Sequence, residues 1–408
     1  MENIFNPIAR QSTVEAAGYH RVLPLNAIKP GEPITLIEQS DPNHALDLGR
    51  SKLYVKLKVT KANGTDLDNN DRTGLINYPI GTLWSGAQGS LNNKKVCSDS
   101  HYHLKAYIEA LLGTSQGGKD EHLQAGGFFI DDPAEFDSTS IVGAMNQGFH
   151  QRHLLIDESE ECELVGPLHL SMFQTGRLIP PGVSLSVTLR PNLSRIAIMA
   201  NAGAPKLVIL DVALLLYKVK LSAESELRMM KGLDSQNAVY RLPETTIRTH
   251  HIANAATTIG ADNFIVSDQL PETLVIGFVR TEALQGAYKK NVLDFKKWGL
   301  KNLVVEVNGE KLYGGGGDDI EALDYLSLFD GKNLDPGVGI KRNDYTSGFY
   351  LTRFQIAPYG DEYVSKRKSG AIHIRGQFAP AVTEALTMIV YLQYQKEMQI
   401  NKRLEILV

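Results

Sequence analysis

A period of two runs through this sequence and limits what it can fold into. Leu53, Val55, Leu57 and Val59 alternate with Tyr54, Lys56, Lys58 and Thr60, the signature of a strand with one buried and one wet face. Val183, Leu185, Val187 and Leu189 alternate in the same way with Ser184, Ser186, Thr188 and Arg190. From Leu207 to Leu216 both faces are apolar apart from Asp211, which predicts a central strand. The pattern then turns amphipathic, with Val219 and Leu221 against Lys218 and Lys220. The second half is written in the same style. Leu274–Val279 is wholly apolar, and Leu303–Val307 runs into Asn308-Gly309. That pair accepts the positive φ of a type I′ turn, so a hairpin returning through Glu310 to Tyr313 is expected. Ile372–Phe378 and Leu386–Tyr394 add two strands. Many strands between Gly-, Pro- and Asn-rich loops mean an all-β sandwich or barrel architecture.

Helices are few. From Ser100 the apolar residues Leu104, Tyr107, Ile108, Leu111 and Leu112 fall at helical spacing; Asp99 or Ser100 is expected to cap the start and Gly113 to close the end. Ser222 is expected to cap a second helix running through Met230, with Glu224 and Glu226 in its first turn and Gly232 past its end. A third is expected over Asp318–Phe329, after the Gly314–Gly317 run. The second helix divides the chain into strand-rich blocks of similar length, and 408 residues suffice for two cores. The blocks also echo each other: Leu170-Ser171-Met172-Phe173-Gln174 and Leu351-Thr352-Arg353-Phe354-Gln355 each precede a Pro/Gly loop, a strand and a long strand. Two similar β-sandwiches joined by one helix are the expectation.

Charge and cysteine content narrow the function. With 42 basic against 46 acidic residues the formal charge is −4, so no overall basic field exists to hold nucleic-acid phosphates. Cys97 and Cys162 are too few for a disulfide framework or a cysteine-based zinc site and read as thiols in a reducing compartment. Met1–Leu25 lacks the basic-then-apolar order of a signal peptide, and no apolar run reaches the ~20 residues of a membrane span. The sequons at Asn63 and Asn192 therefore read as turns, and a soluble protein retained in the cytoplasm or nucleus of its producer is expected.

No catalytic constellation emerges. His101 and His103 are two apart, not the three or four that places two ligands on one helix face. His250 and His251, on a strand, would point to opposite sides. Gly314–Gly317 followed by Asp318-Asp319 lacks the Gly-Lys-Ser/Thr of a phosphate loop. Neither a Gly-x-Ser-x-Gly elbow nor a cysteine nucleophile motif is present. Asp131-Asp132 and the acids of Glu158–Glu163 offer carboxylates of the kind glycoside hydrolysis needs, though acidic loops are common on sandwiches. Lys366-Arg367-Lys368 is a compact basic run, most simply a solvated loop and otherwise a contact to an acidic partner or nucleic acid. Trp84 and Trp298 read as core rather than as sugar platforms. Thus no catalytic, cofactor or metal residues are nominated. The competing class is a β-sandwich glycan-binding protein or glycosidase.

The stretch Leu83-Trp84-Ser85-Gly86-Ala87-Gln88-Gly89-Ser90-Leu91-Asn92, followed by Tyr107-Ile108-Glu109-Ala110-Leu111-Leu112, resembles the double-jelly-roll major capsid (hexon) proteins of the adintovirus, adomavirus and polinton-like virus group. Val165–His169 with Pro181-Gly182-Val183, and the segments at Leu207–Leu221, Met230 and Ala238-Val239-Tyr240, follow in the same order. The second half is similar over Leu270–Val279, Gly286-Ala287-Tyr288-Lys289, the Val307–Glu310 hairpin, Tyr325–Phe329 and Asp344–Phe349. The likeness is collinear over roughly residues 50 to 400; the Gly-rich run before Asp318 and the loop Tyr359–Ser369 depart from it.

This resemblance implies two eight-stranded sandwiches standing side by side, with three copies forming a pseudo-hexagonal tile of the icosahedral shell of a double-stranded DNA virus. The implied division is an N-terminal arm over 1–29, jelly roll 1 over 30–221, a connecting helix over 222–234, jelly roll 2 over 235–400 and a C-terminal tail over 401–408. Implied partners are two further copies, neighbouring capsomers, and penton and minor capsid proteins, without enzymatic activity, cofactor or sequence-specific nucleic-acid binding. The place of action would be the virion capsid, assembled in host cytoplasm or nucleus. The alternation of Leu404 and Ile406 against Arg403 and Glu405 suggests that the tail adds a strand to a neighbour.

Overall fold

A computed structural model describes residues 12–143, 145–312, 321–329, 337–357 and 369–408. Eight strands build the two large sheets of the first half: β1 (Val14–Val22), β2 (Ile34–Glu38), β3 (Ala45–Thr60), β4 (Trp84–Leu91), β5 (Lys94–Asp99), β6 (Cys162–Gly166), β7 (Leu185–Pro191) and β8 (Lys206–Leu221). Eight more build the core of the two large sheets of the second half: β9 (Ala238–Ile252), β10 (Thr258–Ser267), β11 (Thr273–Arg280), β12 (Leu300–Val307), β13 (Glu310–Lys311), β14 (Leu351–Gln355), β15 (Gly370–Phe378) and β16 (Leu386–Ile400).

The first half makes two four-stranded sheets, ordered β1-β8-β3-β6 and β2-β7-β4-β5. The second makes β9-β16-β11-β14 and β10-β15-β12-β13. Adding eight to each number of the first pair gives the second pair. Every ladder is antiparallel, so each half is a jelly roll and the fold is a double jelly roll. The repeat extends to its turns. Asn92-Asn93 joins β4 to β5 with φ of 44° and 62°, and Asn308-Gly309 joins β12 to β13 with φ of 53° and 84°. Both have the paired positive φ of a type I′ turn, as the sequence predicts for the second.

Alternation becomes burial. Leu53, Val55, Leu57 and Val59 are at most 1% exposed, while Tyr54, Lys56 and Lys58 between them stay half-buried. The central strand β8 is paired on both sides, by β1 and β3. Its one acid, Asp211, sits at a register shift and takes the guanidinium of Arg21 on β1. The bulge re-aims a single residue without turning the whole apolar set outward. Both jelly rolls feed one continuous hydrophobic cluster, from Leu36 and Val187 in the first to Ile276 and Ile374 in the second. Full burial of each such side chain contributes about 1.5–3 kcal/mol before entropy is counted.

Several expectations need correction. The first strand, Val14–Val22, lies within the stretch assigned to an arm, yet it is hydrogen-bonded along β8 and is the edge strand of the first jelly roll. Its small, polar sequence gave no burial signal because the strand is exposed on both faces. The five-residue echo joins unlike elements: Leu351–Gln355 is strand β14, whereas Ser171–Gln174 is a single 3₁₀ turn beyond β6. The duplication rests on strand order instead. The tail strand β17 (Ile406–Leu407) pairs with β16 of its own chain, so those backbone groups are not held open for a neighbour.

Helix α1 (Tyr102–Gly113) starts without a side-chain cap, because Asp99 turns inward to Lys105 instead. Helix α2 (Gln147–Leu154) lies in the same long insertion between β5 and β6. The connector α3 (Ala223–Ser235) runs one turn further than expected, with Gly232 inside it; Leu233, buried, anchors the extra turn. Glu224 and Glu226 occupy its first turn. Helix α4 covers Glu321–Ser327; the Gly-rich run and Asp318-Asp319 lie outside the described residues.

Candidate functional site

The richest assembly of polar side chains lies in the seam between the two jelly rolls. The insertion between β5 and β6 carries α1 onto the outer face of the β9-β16-β11-β14 sheet. Alternation puts Leu274 and Ile276 of β11 toward the sandwich interior, so Thr273 and Val275 face the helix. A cleft of about 490 Å³ remains there, bordered by Glu109, His169, Thr245, Arg353 and Tyr391.

Glu109 organises this cleft. One carboxylate oxygen meets His169 Nδ1 at 2.8 Å and accepts from Gln174 Nε2 at 2.9 Å, both in the first jelly roll. The other accepts from Tyr391 and Thr245 of the second, at 3.2 and 3.3 Å. Lys105, one helical turn back, lies 4.0 Å away and donates to Asp99 at 3.0 Å. Burial raises the Glu109 pKa, but Lys105 and the hydrogen bonds from His169 and Tyr391 outweigh it and hold it below the usual carboxylate value. Asp99 moves the other way, pushed up by burial against the pull of Lys105.

The linkage follows from those directions. A carboxylate whose folded pKa is depressed contributes stability that is present above its unfolded pKa and is lost as pH falls through the folded value. Glu109→Gln should therefore destabilise the chain at pH 7 by about 1–3 kcal/mol. The gap to wild type should close as pH falls below the ordinary carboxylate range, because both proteins then carry a neutral group. Asp99 is raised in part by the Glu109 charge, so its own upward shift should shrink in Glu109→Gln, and the pair is read as one unit. Thermal midpoints of the two proteins from pH 3 to 7 test this; a gap constant with pH would refute it.

Further along the seam, Arg280 at the end of β11 bridges three acids. It donates to Asp137 of the first jelly roll at 2.8 Å, and to Asp294 and Glu384 of the second at 3.1 Å each. Its guanidinium lies 4.8 Å from the Trp298 ring centroid. Ring pairs close the seam: Tyr107 stacks on Phe295 at 6.4 Å, and Phe136 meets Phe349 edge-on at 5.2 Å.

The sequence-nominated residues are dispersed. His101 and His103 are 6.4 Å apart by ring centroid; burial and the neighbouring His101 depress His103 to about 3, so that ring stays neutral. His250 edges onto Phe264, while His251 is exposed. Cys97 and Cys162 are free and buried, with burial pushing Cys162 up to about 11. Asp131 is tied to Arg152, and Asp132 accepts from the Gln147 amide at the start of α2. Glu161 pairs with Lys56, and Glu163 accepts from Tyr54. Trp84 is fully buried and donates to the Ile80 carbonyl, whereas Trp298 is half-buried beneath Arg280. Lys366, Arg367 and Lys368 lie outside the described residues. Among the described residues no group of three or more potential ligands is placed to hold a metal, and no helix is long and apolar enough to cross a membrane.

Glu109, Lys105 and Arg280 were missed by sequence reading. Their signal was a charge inside an apolar stretch: two in Leu104–Leu112, and one closing Leu274–Val279. Such a charge is buried only if paired, which marks a contact with another element.

No family model matches the chain. Its sequence is 21% identical over 301 residues to an uncharacterised protein of Caenorhabditis elegans, covering 71% of this chain and 69% of that one. Solved structures are similar over almost its whole length. The Sputnik virophage structure aligns with a TM-score of 0.68 at 11% identity, covering 100% of this chain and 90% of that one. The faustovirus major capsid protein aligns at 0.61 with 10% identity, covering 97% and 92%. The mavirus major capsid protein aligns at 0.60 with 10% identity, covering 100% and 92%. These likenesses establish the double jelly roll as the shared fold.

Proposed function

We propose that this chain is the major capsid protein of a double-stranded DNA virus, a non-catalytic structural subunit that trimerises into a pseudo-hexagonal capsomer. The observation that carries the reading is the repeat: two jelly rolls of identical strand order, fused through one core, over the length of chain that viral capsid proteins also use. Three such chains present six similar sandwiches, which suits a six-fold lattice position, and a heterologous contact that closes on itself makes such a ring. A formal charge of −4 over 408 residues lets tiles pack densely without mutual repulsion. The first jelly roll then begins by Val14 and ends at Leu221, with α3 leading to the second at Ala238.

Neighbouring capsomers, penton and minor capsid proteins are the remaining partners of this reading, the virion shell its location, and host cytoplasm or nucleus its place of assembly. The ordered residue resemblance supports the adintovirus, adomavirus and polinton-like group as its origin.

Light scattering after gel filtration tests the reading. The expected mass is about 135 kDa, three times the 44.9 kDa chain, with a hexagonal outline in negative stain. A compact species of about 45 kDa at micromolar concentration would overturn it in favour of a glycan-binding or glycosidase sandwich.

A further inference from the structure

Resting on the trimer reading, we infer that β1, the adjoining end of β8 and the start of α3 form the socket for a second copy of this chain, and that the β12–β13 hairpin is the part that enters it. The template is the contact inside the chain. There, the β4–β5 hairpin and the segment through Leu178 pack against the far ends of β9 and β16. Lys396 donates to the Val96 carbonyl at 3.3 Å, Tyr240 to that of Leu178 at 2.8 Å, and Arg177 to that of Val239 at 2.6 Å. Asn92 in the hairpin turn donates to the Leu404 carbonyl of the tail at 2.8 Å. Thus covered, Tyr240 and Leu242 of β9 are 3% and 0% exposed.

The repeat supplies a second hairpin and a second socket, and among the described residues neither is joined to the other within the chain. The hairpins match in detail. The Asn92 amide donates to Ser184 and its side-chain oxygen accepts from the Ser184 amide, at 3.0 and 2.8 Å. The Asn308 amide donates to Ala371 and its side-chain oxygen accepts from the Ala371 amide, both at 3.0 Å. The tip beyond it, Glu310 and Lys311, is exposed.

The sockets match in topology and differ in cover. β1 occupies the place of β9, as an edge strand paired only with the long last strand of its sheet. Yet Glu15 through Arg21 are exposed without a break, Tyr19 by 57%. Where the tail follows β16, α3 follows β8, and there Leu227 and Met230 are 55% and 44% exposed. An open strand edge flanked by apolar side chains is the state a soluble chain avoids unless a partner covers it. The internal contact shows which surface fits such a socket: the equivalent hairpin, which only another copy can bring. Each copy offers one hairpin and one socket, so the contact is heterologous and repeats head to tail until the ring closes.

Mixing two half-defective variants tests this. Ala17→Glu with Tyr19→Glu spoils the socket and keeps the hairpin; Glu310→Trp spoils the hairpin and keeps the socket. Each alone should run near 45 kDa, and a 1:1 mixture should give a dimer of about 90 kDa that cannot close, against a wild type near 135 kDa. A wild-type trimer with socket variants still trimeric, or a mixture that stays at 45 kDa, would overturn the assignment of these surfaces and leave the capsomer reading standing. A monomeric wild type would overturn both. Folding of the variants is controlled on unmodified protein: lysine cross-linking of mixed isotope-labelled and unlabelled chains should join Lys311 of one copy to Lys220 of another. Cross-links between copies that avoid both residues would count against the socket.

Discussion

Replacing Arg152 with methionine should destabilise the chain by about 3–5 kcal/mol, the cost typical of stripping one partner from a buried ion pair. Arg152 and Asp131 both have fully buried side chains, and the guanidinium donates to Asp131 at 2.5 Å. It also donates through Nε to the Leu75 carbonyl at 2.8 Å and through a second nitrogen to Phe129. Methionine restores much of the volume but none of the donors, leaving a carboxylate and two carbonyls without a counter-charge. Asn146 alone, donating to Asp131 at 2.8 Å, cannot neutralise it. The double variant Arg152→Met, Asp131→Leu should lose less than Arg152→Met by itself, because the orphaned charge has gone. Denaturant unfolding of both reads this out. A single variant within about 1 kcal/mol of wild type, or a double variant worse than the single, would sink the argument.

The second large effect is expected at Arg280. Arg280→Met should cost about 2–4 kcal/mol and, more tellingly, should split one unfolding transition into two. Arg280 holds Asp137 of the first jelly roll and two acids of the second, so its loss weakens the tie between halves more than either half. Asp294, 1% exposed at its side chain, keeps Lys296 at 2.8 Å; Asp137 keeps Lys290 at 3.8 Å. Arg280→Lys should rescue little, because an ammonium cannot reach three carboxylates in the planar fork that guanidinium provides. Calorimetry distinguishes the cases: a single unshifted transition in Arg280→Met would show that the apolar seam alone couples the jelly rolls.

These two arginines illustrate what a sequence of this kind makes legible. Alternation and unbroken apolar runs are both properties of neighbouring residues, so β3 and β7 could be read from the first and β8 and β11 from the second, with β15 and β16 beside them. β1 could not, because a strand exposed on both faces carries no alternation. The seam was illegible for a different reason: Glu109, His169, Tyr391 and Thr245 lie far apart along the chain, and only the packing of α1 on the second sheet brings them together. Of the carboxylates that looked chemically suggestive, Asp131 is neutralised by Arg152 and Glu161 by Lys56, while Glu163 only accepts from the Tyr54 hydroxyl. Sequence shows which residues are charged; whether a charge is spent on its own scaffold depends on the fold.

The single core that both jelly rolls share has a consequence for how assembly responds to supply. Contacts between the halves of one chain form at an effective concentration set by the short α3 tether, and so they do not weaken on dilution. Contacts between chains obey mass action and do weaken. The proposed six-sandwich ring, made this way, would have half its seams insensitive to protein abundance and half governed by it. Its closing step would then be a meeting of three bodies rather than six, which would sharpen assembly around a threshold while leaving each dissolved chain already half built.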